Sequence, residues 1–423
     1  SELAEVNEAK QMIEHYDTTP MSGVLNVKEA IKRASLGSTL SIEELLRIVS
    51  LVEAVQANQR YIRKIRQLEI ATKSLGHYYD ELVNVSIVKT AIDACIDVKG
   101  LIYDEASEEL SSVRKKIVIN QKRVSDKMDS LLKSESSKLT DSIITIRNNR
   151  LVLPVKAEYK NSFKGIIHDQ SSSRETVFIE PASCFELNNI IQELFVLEQD
   201  AIEKILAKLT LLVGEHASDL SSNFAILTNL DIIFAKARYA IQLRASQPEI
   251  TKSTIDLKLA RHPLIGSDVV VPNTIHFGHY HSIIITGPNT GGKTVALKLL
   301  GLLSLMVQSG MLIPVEEGSK TLIFDHIFAD IGDEQSIEQS LSTFSGHISK
   351  IISILSNVNQ RSLVLLDELG SGTDPKEGAS LAISILDYLR EKQAYTMVTT
   401  HYPELKLYAY NLDDTTNASV EFD

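Results

Sequence analysis

The residues that can do chemistry lie in the last third of the chain. Gly287-Pro288-Asn289-Thr290-Gly291-Gly292-Lys293-Thr294 has the spacing of a phosphate-binding P-loop. Its glycines let backbone N–H groups close on phosphate oxygens, and a helix starting there adds the positive end of its dipole. Lys293 is expected to bridge the β and γ phosphates of ATP and Thr294 to ligate Mg²⁺ through its hydroxyl, with Val295 completing the ATP-binding set. Downstream, Leu363-Val-Leu-Leu-Asp367-Glu368 is an apolar run ending in two carboxylates. Asp367 is expected to hold Mg²⁺ through its water shell. Glu368 faces the other way and is the candidate catalytic group that orients or deprotonates the attacking water.

Three more stretches belong with these. Gly370-Ser-Gly-Thr-Asp374-Pro375 follows at once, a loop able to report nucleotide state or touch a second subunit. His401, in Thr399-Thr-His401-Tyr, ends the next apolar run and is the second candidate catalytic group, placed to reach the γ-phosphate or polarise the water. Asp330-Ile-Gly-Asp-Glu-Gln-Ser336 and Gln339-Ser-Leu-Ser342-Thr343-Phe344-Ser-Gly346 form a polar, Ser-rich approach to a helix expected from His347. Hydroxyls and N–H groups at a helix N-terminus make a second anion site. This is read as a signature-like element that meets ATP held by a partner subunit.

Such motifs need a sheet behind them. Residues 282–286, 363–366 and 396–399 are short apolar runs, and helical patterns at 295–311, 347–355 and 379–390 separate them. The alternation predicts an α/β domain with a largely parallel sheet. Residues 269–272 are expected as one wall of the adenine pocket. Residues 296–313 are apolar but carry Lys298, Gln308 and Ser309 directly after the phosphate loop, so they read as a buried helix and not a membrane span.

The N-terminal part reads differently. Ser41-Ile-Glu-Glu44 is a capping box opening a helix, and residues 107–138 form a long, thinly apolar helical arm. Around Asn148-Asn149 the pattern predicts a hairpin, with short strands at 165–168 and 176–179. One long helical pattern then runs from Glu186 to about Arg244, interrupted only by Gly214.

Length and charge set the frame. The 423 residues, 43% apolar and 23% charged with a net charge of −12, suit a soluble protein of two or three domains. They exclude a strongly basic nucleic-acid binder, so nucleic-acid contact must come from local patches such as Arg114/Lys115/Lys116 or Arg147, Arg150, Lys156, Lys160 and Lys164. Cys95 and Cys184 lie far apart without metal-ligand spacing, which fits a reducing compartment. No secretory signal marks residues 1–10, and a cytoplasmic location is expected.

Together these residues resemble the MutS family of ABC-type ATPases, in its type-two branch. The resembling stretches are Arg261-His-Pro-Leu264, the P-loop, 329–344, 366–375 and Thr399-Thr-His-Tyr-Pro-Glu-Leu-Lys406, joined by 146–156 and His168-Asp-Gln-Ser-Ser-Ser. The resemblance implies a multidomain fold. Residues 1–106 would be a helical core and lever, 107–185 an inserted small α+β clamp, 186–250 a long lever helix and 251–423 the ABC-type ATPase domain. It implies a homodimer with composite ATP sites, Ser342 and Thr343 of one subunit facing the γ-phosphate held by the other. The implied activity is ATP hydrolysis by a clamp on branched or recombination DNA that suppresses homologous recombination. The alternative is a ribosome-associated ATPase that splits or rescues stalled or collided ribosomes. No membrane partner is implied. A mismatch-reading domain is not expected, the start reads as truncated, and the end at Glu421-Phe-Asp423 precedes the branch's dimerisation helices and small nuclease domain, so nuclease chemistry is not expected from this stretch.

Overall fold

The computed structural model describes residues 1–423 other than 17–19, 21–22, 149, 267, 288–291, 333–339 and 421–423, together with the side chains of 340–345. The chain divides into two units, residues 20–59 and 81–227 forming one and residues 1–19, 60–80 and 228–423 the other.

In the first unit the capping box is in place: the Ser41 N–H donates to Glu44 Oε2 at 2.9 Å and the Glu44 N–H to Ser41 Oγ at 3.3 Å. The arm is the helix Glu108–Ser134, capped by Ser107, whose Oγ accepts from the Leu110 N–H. It lies against the helix Ala182–Glu215 through a small cluster, Val113, Ile117 and Leu194, and through Arg114 Nε donating to Glu198 at 2.7 Å.

Four antiparallel strands follow the arm: β1 (Thr145–Arg147), β2 (Arg150–Lys156), β3 (Gly165–Gln170) and β4 (Thr176–Pro181), in the order β1-β2-β4-β3. The hairpin turns at Asn148, which takes φ 50°, a conformation that asparagine tolerates better than most residues. Leu153, Val155, Val177 and Ile179 pack with Val124 and Met128 of the arm.

At the heart of this sheet Glu180 is fully buried. Its carboxylate accepts from Arg150 Nη1 at 2.9 Å and Asn188 Nδ2 at 2.7 Å, and His168 Nε2 lies at 2.7 Å. A buried charge persists only with such partners. The basic patch read from the sequence is therefore partly internal. Arg150 serves Glu180, and Arg147 pairs with Asp169 and covers the Phe178 ring. Lys160 and Lys164 are exposed.

Residues 186–250, expected as one long helix, form two: Ala182–Glu215 and Ala217–Gln242. The first ends as the His216 N–H bonds back to Val213 O at 3.2 Å, and the next starts as the Leu220 N–H bonds to His216 O. Apolar spacing continues across the join, so periodicity alone does not show it. Gly214 is there for space, since a Cβ would sit 2.7 Å from the Ala34 carbonyl oxygen.

Among its described residues the second unit carries nine strands: β5 (Glu249–Ile250), β6 (Asp256–Ala260), β7 (Asn273–His276), β8 (Ser282–Thr286), β9 (Lys320–Thr321), β10 (His326–Asp330), β11 (Ser362–Leu366), β12 (Tyr395–Thr400) and β13 (Thr415–Ser419). The main sheet is wholly parallel, in the order β10-β11-β12-β8-β13. A smaller mixed sheet has the order β5-β9-β6-β7. Both faces of the main sheet are covered, as parallel sheets require. Val364 and Leu366 pack with Ile351, Ile354, Ala382, Ile385 and Leu386 of the helices Ser340–Asn357 and Pro375–Glu391. On the other face Leu365 comes so near the helix Lys293–Gln308 that a Cβ on Gly301 would lie 2.7 Å from its Cδ1.

The helix expected from His347 begins at Ser340. First turns follow capping chemistry and not apolar spacing, which is why the pattern started late. Among the described residues no helix is long and apolar enough to cross a membrane.

Candidate nucleotide site

Three neighbouring parallel strands end at one place. In register, Leu366 of β11 lies opposite Val398 of β12, and Thr400 of β12 opposite Thr286 of β8. The segments leaving these ends carry Asp367–Glu368, His401 and the P-loop. Loops at the carboxyl ends of parallel strands are where such sheets bind ligands.

Lys293 opens the helix Lys293–Gln308 and is 3% exposed. Its Nζ donates to the Gly287 carbonyl at 2.7 Å and lies 3.4 Å from His401 Nε2. Burial holds its pKa below the usual lysine range, partly offset by the Glu368 and Asp367 carboxylates. Thr294 Oγ1 donates to Asp367 Oδ2 at 2.8 Å. The side chain of Val295 is exposed and apolar, so only its backbone can serve a phosphate. The first N–H groups of a helix have no intrahelical acceptor, which leaves them for an anion.

The Asp367 carboxylate and the Glu368 backbone are held by a residue that carries no motif signal of its own. Thr399, fully buried near the end of β12, donates through Oγ1 to Asp367 Oδ1 at 2.5 Å and accepts the Glu368 N–H at 2.8 Å. One hydroxyl thus fixes both acids. Glu368 sits at φ 50°, a left-handed conformation that costs a non-glycine residue about 1 kcal/mol or more. The Leu369 N–H to Thr399 O and the Ser371 N–H to Glu368 O complete the clasp. The signal for Thr399 was a hydroxyl in a buried strand, two positions before His401.

His401 Nε2 lies 3.2 Å from Glu368 Oε1 as well as near Lys293. One ring nitrogen cannot donate to the carboxylate and accept from the ammonium at once, so its proton decides which neighbour it serves. The histidine therefore stands between the Lys293 ammonium and the Glu368 carboxylate.

The loop behind Glu368 is packed backbone to backbone. A Cβ on Gly378 would meet Gly370 O at 2.4 Å and the Tyr402 hydroxyl at 2.6 Å, and that hydroxyl donates to Gly370 O at 2.7 Å. Gly378→Ala is expected to cost about 2 kcal/mol by overpacking, read as a lower denaturation midpoint. An unchanged midpoint would show that the loop gives way freely.

Pro288, Asn289, Thr290 and Gly291 of the P-loop lie outside the described residues, while Gly292 caps the helix Lys293–Gln308. Ser342 and Thr343 fall in the helix Ser340–Asn357, and their side chains lie outside the description. Val269 and Val271, expected near adenine, are both 73% exposed. The Thr294 hydroxyl and the Asp367 carboxylate are two hard oxygen donors converging on one point. They fit a cation of the Mg²⁺ kind, which keeps several waters and takes few protein ligands.

A parallel sheet with a P-loop sequence after β8 and a paired Asp-Glu after β11 defines the P-loop class of nucleotide-binding domain. Residues 283–423 match the MutS domain V family. The chain is 50% identical over 423 residues to Endonuclease MutS2 of Geobacillus sp., 46% over 426 residues to Endonuclease MutS2 of Bacillus velezensis, and 46% over 425 residues to Endonuclease MutS2 of Halalkalibacterium halodurans. These alignments take in 99%, 100% and 99% of this chain and 54% of each relative, so the chain spans about half the length of the curated relatives it matches. The chain belongs to the MutS family, in its type-two branch.

Proposed function

We propose that the chain hydrolyses ATP to ADP and phosphate as part of a homodimeric clamp on branched DNA, acting to suppress homologous recombination. The observation that carries the ATPase reading is the continuous set Thr294–Asp367–Thr399–Glu368–His401–Lys293, held by direct hydrogen bonds at the strand ends. In this reading each group has a task in phosphoryl transfer except Thr399, which positions Asp367 and the Glu368 backbone.

In this reading the triphosphate lies across the start of the helix Lys293–Gln308, and Lys293 turns its ammonium from the Gly287 carbonyl to the β and γ phosphates. Thr294 and Asp367 hold Mg²⁺, which neutralises phosphate charge when bound. Glu368 accepts a hydrogen bond from the attacking water and takes its proton as the β–γ bridging bond breaks. His401 donates through Nε2 to Glu368 or to a γ-phosphate oxygen, so that the carboxylate is oriented before the water arrives. Ser342 and Thr343 bring hydroxyls and a helix N-terminus to the nucleotide of the partner subunit.

Branched DNA is the partner this reading commits to. Lys160 and Lys164 on the small sheet's unit are exposed cations suited to phosphate contact. The relatives carry the name endonuclease, an activity on nucleic acid, although the nuclease chemistry itself forms no part of this reading. The test compares gel shift on four-way junctions with co-sedimentation on ribosomes, each with and without ATP. ATP-dependent junction binding is expected. Binding to ribosomes alone would replace the DNA reading with ribosome rescue by the same engine.

A further inference from the structure

We infer that Asp330 and His347 form a positioning pair that links the end of the Asp367 strand to the helix bearing Ser342 and Thr343. The inference rests on the ATPase reading and adds a residue pair that the reading does not use. Asp330 is the last residue of β10 and is 4% exposed. Its backbone carbonyl accepts the Asp367 N–H at 2.9 Å, so it is tied directly to the expected metal ligand. Its side chain reaches the other way, with His347 Nδ1 2.7 Å from Oδ2 and Lys350 Nζ 3.6 Å from Oδ1.

His347 and Lys350 are one helical turn apart, so a single helix grips the carboxylate from one face. That helix is Ser340–Asn357, and Ser342 lies five residues before His347, about 7.5 Å along the axis at the usual rise. One residue thus touches the machinery of its own site through its backbone and the element destined for the partner's site through its side chain. Asp330, His347, Asp367 and Glu368 also line one cleft.

A purely stabilising role is a poor explanation for this pair. A buried carboxylate is costly to desolvate, and apolar side chains hold a helix to a sheet at least as well. Asp330 Oδ1 forms no hydrogen bond among the described residues and has only the longer ion pair to Lys350. What the pair supplies is direction: a short bond of fixed geometry that sets how the helix N-terminus is aimed relative to Asp367. A small misplacement of positioning groups lowers the rate of the chemical step while ground-state binding survives.

The test uses the full dimeric protein and reads ATP turnover together with affinity for a non-hydrolysable ATP analogue. His347→Ala is expected to lower kcat about tenfold, the size of losing one hydrogen bond to a charged group, with analogue affinity within about twofold of the parent. His347→Asn places an amide N–H where Nδ1 stands and is expected to recover most of kcat. Should the alanine variant not fold, His347→Gln, which shifts the donor along the side chain, is expected to show the same split. Unchanged kcat in His347→Ala, or an asparagine variant no better than alanine, overturns the inference. So does a loss confined to melting temperature. If the parent protein itself binds the analogue but never hydrolyses ATP, the ATPase reading fails instead, and the two failures are told apart by that control.

Discussion

Glu368→Ala is expected to keep ATP binding and to lose turnover by about 10²–10⁴-fold, the range for removing a positioned proton acceptor. Two features separate binding from chemistry here. Lys293 and Thr294, which meet the phosphates and Mg²⁺ in this account, make no hydrogen bond to the Glu368 side chain. The Glu368 backbone, in contrast, is pinned by Thr399 and by the turn to Ser371, so truncating the side chain leaves the loop in place. Its Oε1 is bonded only to His401 among the described residues. The measurement is steady-state phosphate release beside calorimetric ATP affinity. Ordinary hydrolysis by the variant would remove Glu368 from its role and shift attention to His401.

The second large effect is at Lys293. Lys293→Ala is expected to weaken nucleotide affinity itself by about 10–100-fold, the scale of charge-assisted hydrogen bonds to phosphate. The side chain is almost wholly enclosed, and burial already disfavours its charge. An arriving triphosphate supplies the counter-charge that restores it. A pH trend follows from the sign of that shift. Lys293 in the folded protein gives up its proton below the ordinary lysine range, so the free protein loses the ammonium as pH rises through that lowered value. ATP affinity should therefore fall with rising alkaline pH in the parent protein, and the trend should be absent in Lys293→Ala. A variant with the parent's affinity would mean that the ammonium serves the loop, through Gly287, and not the phosphates.

The parts of the site that were legible in the sequence are those whose chemistry is written in neighbouring residues. Glycine spacing with Lys293 and Thr294, and an apolar run ending in Asp367 and Glu368, need no tertiary contact to be recognised. Thr399 is of the other kind. Its importance comes from the register of β12 on β11, which sets its hydroxyl between the two acids, and a threonine in a strand carries no such message by itself. Asp330 stands in the sequence at the start of a polar stretch, yet it is the buried end of β10, with a carboxylate turned towards His347.

The same contrast holds for the fold. β8, β11 and β12 are continuous apolar runs because both their faces are covered, and they were visible for that reason. β10 and β13 are the sheet's edges, half exposed and mixed in composition, and no periodicity marked them. Around β2 and β4 the strands were legible, but the pairing of Arg150 with the buried Glu180 was not, since a cation near a hairpin looks the same in sequence whether it faces solvent or an internal carboxylate.

Calorimetric titration of the protein with ATP in the presence of Mg²⁺ bears most directly on all of this. The account predicts saturable binding at one nucleotide per chain, diminished in Lys293→Ala and retained in Glu368→Ala. A titration without measurable affinity for any adenine nucleotide would contradict it at the root.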